Sequence, residues 1–229
     1  MGRFDRIHAC LDRWTGRAFP GVTVAVLRGD DTVYRGSAGH AAVQPARVPI
    51  DDGAVFDLAS LTKPAATGLL VLRAIDAGRL QLDSRLGDYV AGLPDATGAI
   101  TVFQALTHTA ALPAVPMLHN SFPEAGSAGR EAARGVLTRI EPTEPPRPDT
   151  PVEYSCTGFQ LLGLLVESLY GESMGACFRR EIAEPAGLHR AGFIPTAAGD
   201  SSGKTAGATF PTATRALDGN AATPTLPTA

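Results

Sequence analysis

A proline at position 64 does more than any other residue to limit how this chain can fold. It stands near the head of the strongest helix-like stretch, residues 60–78, where Leu69, Leu70, Leu72, Ala74 and Ile75 supply an apolar stripe and Gly78 a stop. Proline fits the first turn of a helix, but deeper in it removes a hydrogen bond and clashes with the turn before. The helix is therefore expected to begin close to Ser60, with Ser60-Leu61-Thr62-Lys63 at its tip. Residues three apart share a helix face, so the Lys63 amine can approach the Ser60 hydroxyl.

That spacing has chemical content. A serine hydroxyl is a weak nucleophile until a neighbour takes its proton. A partly desolvated lysine can do so, or can assist another base, and the positive end of the helix dipole favours developing negative charge. The same four residues also describe an ordinary helix cap followed by a solvated lysine. Surrounding sequence has to decide between the two.

On either side the pattern predicts alternating elements. Residues 4–18 read as an amphipathic helix through Phe4, Ile7, Leu11 and Trp14, and Val22–Leu27 with Thr32–Gly36 read as a hairpin turning at Gly29-Asp30-Asp31. Thr101 is a good N-cap for a second helix carrying Val102 and Leu106, the proline-dense 141–151 is irregular, a third helix runs from about Thr157 to Tyr170 and stops at Gly171, and Ser173 caps another with Phe178 and Ile182 inward. From Thr196 the residues turn small and polar, so 196–229 is expected to be a poorly ordered tail after a single domain over 1–195.

Composition excludes some functions. Of 229 residues 44% are hydrophobic and 19% charged, and the net charge of −3 with no basic cluster argues against nucleic-acid binding. No apolar run reaches membrane-spanning length, and no signal-peptide core follows Met1, so the expected compartment is the cytoplasm. Cys10, Cys156 and Cys177 are widely spread, which suits reduced thiols, and no Cys/His spacing suggests a metal site.

The segment Phe56-Asp57-Leu58-Ala59-Ser60-Leu61-Thr62-Lys63-Pro64 resembles the nucleophile segment of the β-lactamase and penicillin-binding-protein superfamily, which includes class C β-lactamases, DD-peptidases and esterases. Ala18-Phe19-Pro20-Gly21-Val22 is similar to the start of its first strand, and Gly78-Arg79-Leu80-Gln81-Leu82-Asp83 to the segment after its nucleophile helix. Leu106-Thr107-His108-Thr109-Ala110-Ala111-Leu112-Pro113 resembles its L-T-H-T-S-G-L-P stretch, and Tyr154-Ser155-Cys156 with the helix after it resembles its second catalytic motif, Y-x-N.

The resemblance implies an α/β fold in the broad sense, an antiparallel sheet flanked by helices with a helical subdomain. It implies a serine hydrolase acting on esters or β-lactam-like amides through an acyl-Ser60 intermediate, with Lys63 and Tyr154 sharing the proton transfers and no cofactor. Cys156 stands where the family often has Asn or Asp, a position that contacts substrate, and a thiol bonds there more weakly than an amide. His108 has a structural place in this frame rather than that of a general base. The family's third motif, K-T-G or H-x-G on a sheet strand, has no equivalent: Gly203-Lys204-Thr205-Ala206-Gly207 has an extra residue and little β-forming sequence around it. As a P-loop it fails on glycine spacing and on Pro211. The expectation is a chain cut short at its C-terminus, or one that recruits the missing strands from elsewhere, with an incomplete sheet whose unpaired edge invites self-association. The competing expectation is a catalytically impaired remnant with a binding role or none.

Overall fold

The computed structural model describes residues 2–51, 53–114, 127–147 and 149–193. The described residues divide into two compact units, one up to residue 57 and one over 58–193. The expected tail lies outside the described residues.

In the first unit, helix α1 (Asp5–Trp14) ends four residues earlier than its sequence pattern suggests. Thr15 turns extended, its hydroxyl donates back to the Leu11 carbonyl at 2.7 Å, and Gly16 takes a positive φ of 78°. Leu11 is buried, and the rings of Phe4 and His8 lie 4.9 and 5.3 Å from Tyr34, whereas Trp14 is exposed. Strand β1 (Gly21–Arg28) pairs antiparallel with β2 (Asp31–Ala42), and β2 with the short β3 (Val48–Pro49), in the order β1-β2-β3. Strand β2 continues well past the expected Gly36. Its far half, Ser37-Ala38-Gly39-His40-Ala41-Ala42, has weak strand propensity, and the ladders to β1 and β3 hold it extended.

The second unit is mainly helical. It opens with a tight 3₁₀ turn (Ala59–Leu61), then a wider π-type turn (Lys63–Gly68), and only then helix α2 (Leu69–Asp76). The uniform helix expected from Ser60 is thus three different windings. The wide turn rotates the apolar face: Ala66, Leu70, Val71 and Ala74 are buried, while Leu69 and Leu72, expected inside, are exposed. Helices α3 (Asp95–Gly98), α4 (Val102–Leu106), α5 (Ser127–Leu137), α6 (Cys156–Tyr170) and α7 (Met174–Phe178) follow.

Helix α6 is the centre of the unit. Its Leu161, Leu162, Leu165 and Val166 are fully buried in one cluster with Leu70, Val71, Ile100 and Val102. The helix stops where Gly171 takes the left-handed conformation, φ 68°, that side chains resist. At its other end Gly158 is needed for close packing, since a Cβ there would sit 3.2 Å from the Ala105 carbonyl oxygen of α4. This close approach brings the head of α6 beside the turn that follows α4.

Candidate active site

Ser60 sits in the middle of the tight turn, whose Leu61 N–H donates to the Leu58 carbonyl at 2.8 Å. Ala59, just before it, holds φ at 45°, a left-handed backbone that costs a residue with a side chain about 1 kcal/mol or more. Lys63 opens the wide turn, and Pro64 follows in its permitted first-turn place. The Lys63 Nζ donates to Ser60 Oγ at 3.2 Å.

Tyr154 arrives from 94 residues away, and its phenol is 2.8 Å from the same Ser60 Oγ. The Lys63 Nζ also lies 5.0 Å from the centre of the Tyr154 ring. Hydroxyl, amine and phenol therefore converge on one oxygen.

The segment bearing Tyr154 is extended and half-exposed, so little apolar packing holds it. Hydrogen bonds to the stretch 108–114 do so instead. The Glu153 N–H donates to the His108 carbonyl at 2.9 Å, and the Ser155 N–H to His108 Nδ1 at 3.1 Å. The Ser155 and Thr157 hydroxyls each donate to the Pro113 carbonyl at 2.8 Å, and the Cys156 N–H to the Ala114 carbonyl at 2.7 Å. The Ser155 hydroxyl also caps α6 by accepting from the Gly158 N–H. This stapling accounts physically for the Leu106–Pro113 stretch singled out in the sequence: it is the mount for the tyrosine.

Charge at the site follows from proximity. Burial pulls the Lys63 amine down, but hydrogen bonding to Tyr154 and then to Cys156 outweighs it, and Lys63 ends above its ordinary range. It is a poor proton acceptor and a steady cation. For His108, burial and then the Lys63 charge both hold the imidazole below the usual histidine range, so it is neutral near neutral pH.

Cys156, at the head of α6, is half-buried and is among the groups that raise the Lys63 amine. Ser60, Lys63, Tyr154 and Cys156 are thus neighbours, and the decoy Lys204 lies outside the described residues. Among the described residues no group of three or more His, Cys, Asp or Glu could hold a metal ion. Sequence reasoning gave His108 a place in the fold but missed what it holds. Its position two residues past a short capped helix, at φ 59°, marks a specialised turn only once the backbone is seen.

A family model described as Beta-lactamase matches residues 8–226. The chain belongs to the Beta-lactamase family. Among curated Beta-lactamase relatives, Penicillin-binding protein 4 of Amycolatopsis lactamdurans is 29% identical over 204 residues, covering 84% of this chain and 48% of that protein. A class C beta lactamase of known structure is 26% identical with a TM-score of 0.63, covering 81% of this chain and 48% of the other. EstCE1, a hydrolase with promiscuous acyltransferase activity, superposes with a TM-score of 0.69 at 23% identity, covering 82% of this chain and 52% of its own; this likeness is one of fold. The chain spans about half the length of the curated Beta-lactamase relatives it matches. The fold expected from the sequence, helices with an antiparallel sheet that is incomplete here, agrees with membership of this family.

Proposed function

We propose that this chain carries the acylation centre of a serine hydrolase that cleaves esters, and β-lactam-like amides more slowly, through an acyl-Ser60 intermediate. The convergence of Lys63 Nζ and the Tyr154 phenol on Ser60 Oγ, at 3.2 and 2.8 Å, carries this reading. Lys63 holds positive charge beside the oxygen pair, and the base is the Tyr154 oxygen. That oxygen takes the Ser60 proton as Oγ adds to the substrate carbonyl carbon. It then returns the proton to the departing alcohol or amine, and the Ser60 acyl ester forms. Water, giving up a proton to the same Tyr154 oxygen, hydrolyses the acyl group, and that proton passes back to Oγ to restore Ser60.

Esters are the favoured class because an alkoxide leaves with less help than an amine. An amide substrate also gains more from the hydrogen-bonding side chain that Cys156 replaces. The ligand is a small ester or amide, and neither cofactor nor metal enters the steps. Free thiols at Cys10, Cys156 and Cys177 fit work in a reducing compartment such as the cytoplasm. The outer edge of β1 is a place where copies of the chain would associate.

Cys156 also favours a second reading, in which the site binds without turning over. A fluorescent fluorophosphonate, a fluorescent penicillin and p-nitrophenyl esters separate the two. Covalent labelling and ester turnover by the wild type, lost in Ser60→Ala, is the expected result. Absence of both in a folded wild type would establish the non-catalytic reading.

A further inference from the structure

The structure places one residue against the Tyr154 segment from three directions. The His108 carbonyl accepts from Glu153 and its Nδ1 accepts from Ser155, so one side chain and its own backbone grip the residues on both sides of Tyr154. Its ring meanwhile lies 4.8 Å from the Tyr154 ring at 43°, and 5.2 Å from Phe159 on α6. Tyr154 is 49% exposed, so this grip and the contacts to Ser60 and Lys63 are what fix its direction.

We propose that His108 is a positioning residue whose neutral imidazole aims the Tyr154 phenol at Ser60, and whose protonation releases that aim. This rests on the acyl-transfer reading above. The chemistry is simple: a neutral imidazole with its proton on Nε2 offers Nδ1 as an acceptor, whereas an imidazolium presents N–H at both positions. Protonated, His108 would oppose the Ser155 N–H donor to donor, and the bond at 3.1 Å would be lost. Among the described residues, the titratable groups that meet it are Lys63 on the wide turn and Tyr154 on the arriving segment; Glu153 meets it through its main-chain N–H. Burial and the Lys63 cation oppose protonation, so the release belongs on the acid side of the usual histidine range.

Two variants separate aim from bulk. His108→Asn keeps an acceptor that cannot be protonated; His108→Phe keeps a stacking ring without an acceptor. Fluorophosphonate labelling of Ser60 is timed across pH for each, alongside ¹⁵N-histidine spectra of the wild type. The expected result is an acid limb in the wild type that tracks the His108 titration, and an Nε2–H tautomer at neutral pH. His108→Phe should label at least about tenfold more slowly, while His108→Asn retains most of the rate without that acid limb. Wild-type rate and profile in His108→Phe, an unchanged acid limb in His108→Asn, or an Nδ1–H tautomer in the wild type would each overturn the proposal.

If wild-type Ser60 labels with nothing, the acyl-transfer reading fails by itself. The ¹³Cζ signal of Tyr154, assigned with Tyr154→Phe, still decides His108: an inflection shared with the His108 titration supports the proposal, and its absence ends it.

Discussion

Ala59, His108 and Ala111 are the described residues with side chains that take a left-handed backbone, at φ 45°, 59° and 50°. One precedes the nucleophile, and the other two belong to the tyrosine's mount. Such conformations persist where the surroundings dictate them, and they concentrate where side chains must be aimed. The Ser60–Lys63 pair was legible because a spacing of three puts two side chains on one side of a coiled segment, although the bearing between them comes from two unequal turns. Tyr154 was legible through family resemblance alone, since nothing local links it to a serine 94 residues earlier. The role of His108 was not legible, because a bond from the Ser155 N–H to Nδ1 depends on where a loop of distant sequence arrives. Tyr154→Phe isolates the phenol. It is half-exposed and keeps its ring, so folding stability should change by less than about 1 kcal/mol. Acylation of Ser60 should fall by about 10²- to 10⁴-fold. Thermal denaturation and labelling rates on the same preparation check both.

At the scale of elements, the ends were clearer than the middles. Thr101, Gly171 and Ser173 punctuate helices where their side chains or backbone predict. The stretch after Ser60 departs from its apolar periodicity because that pattern assumes one winding throughout, and here the chain changes pitch twice before settling into α2. Helix α5 and strand β3 escaped notice for simpler reasons. Two glycines, Gly129 and Gly135, dilute the helical signal of α5, and β3 is two residues long. The Thr101 cap is a complete capping box: its hydroxyl accepts from the Gln104 N–H at 3.2 Å while Gln104 Oε1 accepts from the Thr101 N–H at 3.0 Å. Thr101→Ala should cost about 1 kcal/mol, read from urea denaturation. Because α4 runs directly into the His108 turn, the same substitution should slow Ser60 labelling although it touches no reacting group.

For the molecule as a whole, the helical unit depends on α6. This helix supplies Leu161, Leu162, Leu165 and Val166, all fully buried, to the core, and its first turn bears the end of the tyrosine segment. Leu161→Ala should destabilise that unit by about 2–5 kcal/mol through lost burial and the cavity left behind. Ser60 labelling and far-UV helicity should then be lost together on heating, at a lower temperature than in the wild type. The broad fold class was legible through the family resemblance, while patterns and stops marked out the individual elements. The change of pitch behind Ser60 has a practical consequence for anyone wishing to transplant this chemistry. Grafting Ser-x-x-Lys onto a regular designed helix would copy the letters while losing the bearing, because here the hydroxyl stands on a tightened coil and the amine on a slackened one. The unit worth borrowing is the pair of unequal turns together with the loop that presents the phenol.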